Sequence, residues 1–337
     1  MIDSIRWIII YTLGVSIIIY FGLTGLFKLY FPFWSRQPVF HLHNIFYWVY
    51  YYFYQEGAVI SEELPDDSKF YDDTVDFYNF DECPENLKKE FVLFIRENFM
   101  PKKAEKYEPE NNSIIDAFQN HNGKSSLSLK LYNNKILACM TMKPIDCIID
   151  DNQMTINYVD LLCVHKLHRK KNYAPRQIFT HVYHRQNQNN GFVSFFKREN
   201  KSNMIVPFTT YYNYMFKIQN WTFCYDFDQP DMNIVFIGKE NRNKFHQIFM
   251  ESKKHFKYSF TLGLGNLFYM IDRGHIKIAA LMIGQQFVGY YVFINSYTTY
   301  HGVKSIEMPA SYKRPDIDDN VFTLGFLISL SLIAKDW

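Results

Sequence analysis

The chain has 337 residues, of which 48% are hydrophobic and 19% aromatic, enough apolar mass for one large or two small packed domains. A formal net charge of only +2 excludes a nucleic-acid binder driven by global charge, so any anion-binding role has to be local. The five cysteines (Cys83, Cys139, Cys147, Cys163, Cys224) are odd in number, widely spaced and free of a CxxC pair, which points to reduced thiols on the cytosolic side rather than a disulfide framework.

From the N-terminus, residues 7–27 form an uncharged apolar run bracketed by Arg6 and Lys28. As a helix it spans roughly 30 Å, the thickness of a bilayer core. The h-region of a signal peptide is shorter, and no small-x-small cleavage site stands out. One basic residue before the run and two soon after, Lys28 and Arg36, place the C-terminal body in the cytosol. The expectation is a single-pass membrane anchor. The aromatic run at 46–54 fits either an interfacial segment or an ordinary buried element. An acidic surface loop follows at 62–67. Residues 85–98 read as an amphipathic helix with Leu87, Phe91, Phe94 and Ile95 on one face. Strands are predicted at 125–132, 136–142 and 155–164, with a hairpin turn at Asn133-Asn134. A further hairpin is predicted at 276–283 and 286–295, and an apolar helix too short to span a membrane at 321–334.

The third strand runs into the most informative stretch. Leu161-Leu162-Cys163-Val164 is followed by a loop carrying Lys166, Arg169, Lys170, Lys171 and Asn172, and then by Ala174-Pro175 opening a helix over 174–183. Pro175 is expected at the first helical position, where a missing N–H is tolerated. A strand feeding a basic turn at a helix N-terminus is suited to phosphate, because the free N–H groups and the dipole face the anion. A solvated basic turn in an α/β unit accounts equally for the charge pattern.

The order of residues in this stretch resembles the N-myristoyltransferases, acyltransferases that move a fatty acyl group from coenzyme A to an N-terminal glycine. Two further segments carry the resemblance. Phe31-Pro32-Phe33-Trp34-Ser35-Arg36-Gln37-Pro38-Val39 is similar to the family's segment along the acyl-CoA. Leu137-Ala138-Cys139-Met140-Thr141-Met142-Lys143-Pro144 is similar to the strand preceding the acyl-CoA-binding one. The likeness is clearest over 31–215 and fades toward 337. It implies an α+β, acetyltransferase-like fold with mixed sheets and two fused halves. The division would be an anchor at 1–30, an acyl-CoA-binding half at 31–220 and a second half at 221–337.

The resemblance also implies roles. The main-chain N–H groups of Leu161 and Leu162 would form an oxyanion hole, each donor being worth on the order of 3 kcal/mol. Phe33, Trp34, Lys166, Arg169, Lys170, Lys171, Asn172 and Ala174 would hold myristoyl-CoA or another long-chain acyl-CoA. Thr209, Thr210, Tyr212 and Tyr214 are the candidate contacts to a peptide with an N-terminal glycine. Lys170 and Asn172 depart from the family, which has a small hydroxyl residue and a second arginine there. The family uses its C-terminal carboxylate as general base; the sequence runs to Trp337, short of the strands that deliver it, so no base is assigned. The alternative is a non-catalytic module of the same fold at a membrane. The basic segment Met100-Pro101-Lys102-Lys103-Ala104-Glu105-Lys106 replaces an acidic loop and implies neutral or acidic peptide partners. The HxxH pairs His165/His168 and His181/His184 lack a carboxylate partner, so no metal is expected, and no nucleic-acid partner either.

Overall fold

The computed structural model describes residues 2–54, 69–99, 105–149, 152–188, 193–198, 205–218 and 231–336. The acidic run at 62–67, residues 100–104, Cys224 and Trp337 lie outside the described residues. The chain forms two units, Met1–Tyr71 with Lys197–Met215, and Asp72–Phe196 with Phe216–Trp337.

In the first unit the apolar run is one helix, α1 (Ile2–Tyr30), and the aromatic run is a second, α2 (Ile45–Tyr54). Within α1, Ser4–Tyr30 is long and apolar enough to cross a membrane, with a mean hydropathy of 2.0 and its most apolar window unburied. Between the helices, Phe27 packs edge-on against His41, whose Nε2 is 2.7 Å from the main-chain oxygen of Trp34. Ile205 and Val206 join this turn, Ile205 by a bridge to His41 and Val206 by its N–H donating to Phe40 O at 2.7 Å.

The second unit contains β1 (Val75–Asn79), α3 (Glu85–Asn98), β2 (Glu105–Tyr107), α4 (Asn111–Asp116), β3 (Ser126–Tyr132), β4 (Lys135–Ile149), β5 (Asn152–Val164), α5 (Tyr173–Asn187) and β6 (Ser194–Phe196). It continues with β7 (Met232–Phe236), α6 (Arg242–Lys253), β8 (Tyr258–Thr261), α7 (Leu264–Asp272), β9 (Ile276–Ile283), β10 (Gln286–Tyr300), β11 (Val303–Lys313) and α8 (Asp319–Asp336). Two sheets result. The first has the order β1-β3-β4-β5-β6 with β8 added to β4; the second has β11-β10-β9-β7 with β2 added to β10. Each sheet thus takes one strand from the part of the chain that builds the other, which ties them into one α+β unit. Among the described residues only β5 and β6 pair in parallel, across the crossover that includes α5.

The predicted elements fall in place, with boundaries moved by the tertiary context. Asn133 and Asn134 both adopt positive φ (49° and 59°), the backbone that a tight two-residue hairpin requires. Strand β4 continues well beyond residue 142 because its second half pairs with both β5 and β8. Residues Ala138, Cys139, Met140, Thr141 and Met142 are all fully buried, a continuous run that only a central strand covered on both faces produces. On one face Phe91 and Ile95 of α3 pack with Leu127, Leu129, Cys139 and Leu161. On the other, α5 presents His181 to β3: Ser126 Oγ lies 2.8 Å from Nε2 and Ser128 Oγ 2.7 Å from Nδ1. Both ring nitrogens being engaged, His181 is a core histidine and no metal ligand. Helix α5 begins at Tyr173, earlier than expected, so Pro175 stands third in the helix rather than first. It remains within the first turn, where N–H groups lack intrahelical partners and proline is tolerated.

Candidate acyl-transfer site

Along the β4–β5 pairing Cys139 faces Cys163 and Thr141 faces Asp160, so the single residue Met140 opposes both Leu161 and Leu162. This is a β-bulge. Leu161 takes φ +42°, a conformation costing a non-glycine residue about 1–3 kcal/mol. The surroundings hold it there. Its side chain is buried in the core of the first sheet, and its N–H donates to Oδ1 of Asp160 at 2.9 Å. Thr141 Oγ1 donates to the main-chain oxygen of Asp160 at 2.9 Å, pinning the residue before the bulge. The bulge is the local device that turns a main-chain N–H out of the ladder, the requirement for an oxyanion donor.

Asp160 is therefore a carboxylate directly against the expected reaction centre, which the sequence reading left without one. Its Oδ2 is 3.3 Å from Lys143 Nζ, and its side chain is one-third exposed. The Lys143 ammonium also lies over the rings of Phe118 and Tyr158, so packing as well as charge fixes its position. The Tyr107 hydroxyl is pushed well above its ordinary value by burial first and by the negative charge of Asp160 second, so it stays a neutral phenol. The signal in the sequence was an acidic residue immediately before the two leucines at the end of a partly buried strand.

After Val164 the chain leaves the sheet as expected and is braced rather than loose. The His165 N–H donates to Leu137 O at 2.8 Å, and His165 Nδ1 accepts from the Leu167 N–H at 3.3 Å, capping a short 3-10 turn at Lys166–His168. The side chain of Asn98, at the end of α3 and 1% exposed, accepts the Lys166 N–H at 3.1 Å. Arg169 donates through Nη2 to Asn98 O at 2.7 Å and through Nε to Val164 O at 3.3 Å. Two nitrogens of its guanidinium thus hold the loop together. Lys166, Lys170 and Lys171 are exposed and have no salt-bridge partner among the described residues. Lys170 and Asn172 take φ +63° and +61°, turning the chain twice before α5, with Asn172 at the N-cap and Ala174 half-buried in the first turn. The first-turn N–H groups and three unpaired lysines therefore share one turn. Asn98 was not foreseen, because a residue 68 positions from Lys166 reaches it only through tertiary packing.

The cysteines beside the bulge are held as neutral thiols. Burial pushes the Cys163 thiol up to about 11 and holds the Cys139 thiol well above its ordinary value. Both are free, although they face each other across the strands.

The other expected ligand residues lie in the first unit. Phe33 is buried, edge-on to Trp34 and to Phe70 with ring centroids 5.1 and 5.2 Å away. Thr209, Thr210, Tyr212 and Tyr214 are exposed in a segment without helix or strand.

No family model and no curated protein matches the sequence. Solved structures do. An N-myristoyltransferase of Saccharomyces cerevisiae with bound myristoyl-CoA superposes with a TM-score of 0.62, covering 93% of this chain and 83% of that one at 13% identity. A second structure, of the yeast enzyme with bound myristoyl-CoA and inhibitors, gives 0.61 over 94% and 85%, again at 13% identity. The chain has the fold of the N-myristoyltransferases.

Proposed function

We propose that this protein is an acyl-CoA-dependent acyltransferase that moves a long acyl chain, myristoyl above all, to the N-terminal glycine amine of proteins. The observation that carries the reading is the bulge at Leu161 and Leu162, which takes the Leu161 N–H out of the ladder and onto the Asp160 side chain, directly before a basic turn and a helix N-terminus. In this reading a thioester oxygen sits on those N–H groups, where fixed donors stabilise the developing charge without reorganising. The coenzyme A phosphates meet Lys166, Lys170, Lys171, the Asn172 turn and the main chain up to Ala174, with Arg169 holding the loop in shape and adding its charge. Phe33 and Trp34 remain assigned to the acyl-CoA, and Thr209, Thr210, Tyr212 and Tyr214 to the acceptor peptide, by resemblance alone. Lys102 and Lys103 would disfavour basic peptides, which leaves neutral or acidic N-termini as acceptors.

Helix α1 serves as a membrane anchor in this proposal, with the second unit in the cytosol where acyl-CoA is found. Tyr50, Tyr52, Phe53 and Phe46 of α2 are exposed, and an aromatic surface close in sequence to an anchor suits the headgroup region. A non-catalytic acyl-CoA-binding module is the second reading, favoured by Asp160 occupying the Leu161 N–H.

Calorimetric titration of the full chain in detergent with myristoyl-CoA and acetyl-CoA tests the site. Tighter binding of myristoyl-CoA by at least ~10-fold is expected, with Lys170→Ala/Lys171→Ala weakening both ligands. No binding of either would overturn the proposal.

A further inference from the structure

We infer that Asp160 is the general base of acyl transfer in this protein, and that it is released for that task when the thioester oxygen displaces it from the Leu161 N–H. The inference rests on the proposed acyl transfer and adds to it the group that handles the proton.

The geometry contains a competition. Leu161 offers one N–H, and in the free protein Asp160 Oδ1 accepts it at 2.9 Å. A thioester oxygen placed on the same donor has to take the place of that carboxylate oxygen. Two anions cannot share one N–H, so an ionised Asp160 would oppose the oxyanion as it forms. A protonated one would not. The amine brought to the thioester supplies the proton that resolves the conflict, so proton removal from the nucleophile and oxyanion formation favour each other. Lys143, 3.3 Å from Oδ2, keeps the carboxylate at the site after Oδ1 is displaced. Tyr107, from the strand added to the second sheet, is the other titratable group whose charge Asp160 influences, and it stays neutral.

The steps balance. The glycine ammonium loses one proton to solvent as it enters. The neutral amine nitrogen forms a bond to the thioester carbon, whose π electrons move to oxygen and are held by the main-chain N–H groups. Asp160 takes the second proton from the nitrogen. The tetrahedral intermediate re-forms its C=O, the C–S bond breaks, and the departing thiolate of coenzyme A takes the proton back from Asp160. An amide and a free thiol result, and the carboxylate returns to the Leu161 N–H.

The test uses the full chain with myristoyl-CoA and a neutral glycine-terminated peptide, comparing the single-turnover rate with the calorimetric Kd for myristoyl-CoA. Asp160→Asn keeps the hydrogen bond to Leu161 while removing the base. It is expected to lower the rate by about 100-fold or more and to leave Kd within about 2-fold, because the acyl-CoA contacts remain. Asp160→Glu, which restores a carboxylate on a longer arm, should recover at least part of the lost rate. A wild-type chain that transfers, with an Asp160→Asn variant that is folded and equally fast, overturns the role of Asp160 and leaves the acyltransferase reading standing. A wild-type chain that binds myristoyl-CoA but transfers nothing overturns Asp160 as a working base and favours the binding module. Failure of the wild type to bind acyl-CoA at all removes both.

Discussion

The main-chain oxygen of Asn98 accepts a hydrogen bond from Nη2 of Arg169 at 2.7 Å, and the Asn98 side chain accepts the Lys166 N–H at 3.1 Å. One buried asparagine at the end of α3 thus sets the path of the basic loop at its start and at its middle. Arg169 and the lysines beside it therefore act differently, although the sequence presents them as one cluster.

That difference is measurable. Lys171→Ala should weaken myristoyl-CoA binding by an amount that shrinks markedly between about 0.05 M and about 0.5 M salt, because an exposed charge acts through a screened field. Arg169→Ala should lose loop bracing as well, worth about 1 kcal/mol, and most of that loss should persist at high salt. Calorimetry across the salt series distinguishes them; parallel curves for the two variants would contradict the bracing role.

His181 makes stability depend on acidity. Burial, then the charge of Arg185 and the neighbouring His184, hold its pKa well below the ordinary histidine value. The unfolded chain takes up a proton near pH 6.5 and the folded chain does not. Stability is therefore complete above pH ~6.5 and falls as the pH drops below it, by up to about 1.4 kcal/mol per pH unit for this group. His121, lowered to about 4 mainly by burial, adds a slope of the same sign down to about that pH. Urea unfolding at several pH values should show the decline, and His181→Asn should remove one proton's worth of slope.

A glycine in α8 tests packing against helix propensity. A Cβ at Gly325 would lie 2.7 Å from Tyr291 Oη and 3.0 Å from Leu281 Cδ1. Tyr291 is fully buried and its hydroxyl donates to Phe322 O, so it has no room to retreat. Gly325→Ala gains about 1 kcal/mol of helix propensity, but overpacking costs about 1–3 kcal/mol. A net loss in thermal stability is expected. Combining it with Tyr291→Phe, which removes the clashing oxygen, should destabilise less than the sum of the two single changes.

The anchor is tested at its centre. Arginine in the middle of a spanning helix disfavours insertion by about 2.5–3.5 kcal/mol. Ile17→Arg should move a substantial share of the full chain from an alkali-resistant membrane fraction to the soluble one. An unchanged distribution would show that α1 does not hold the protein in the bilayer.

Much of the fold was legible in local patterns. Apolar periodicity located α3, and α8 differed only in its ends. Asn133-Asn134 marked the hairpin because asparagine tolerates the positive φ that the turn demands. The site was legible in part. Loop charge and the strand-to-helix order could be read directly, since both are contiguous. Asn98, the pairing of β2 and β8 with sheets built elsewhere in the chain, and the engagement of His181 could not, because each joins residues far apart in sequence.

The sequence by itself determined several of the helices and strands, where one apolar helix is long enough for a bilayer, and where positive charge gathers before a helix. These follow from neighbours within a few residues, where periodicity, turn chemistry and charge act directly. Only the tertiary structure decided what the end of β5 is. The extra residue opposite Met140 is a matter of register between two strands, and register puts Leu161 into a left-handed bulge with its N–H on Asp160 and sets that carboxylate against Lys143. Strand register is fixed by the whole packed sheet, so an aspartate that reads as one more polar residue in a strand becomes, once folded, a carboxylate held against the bulge.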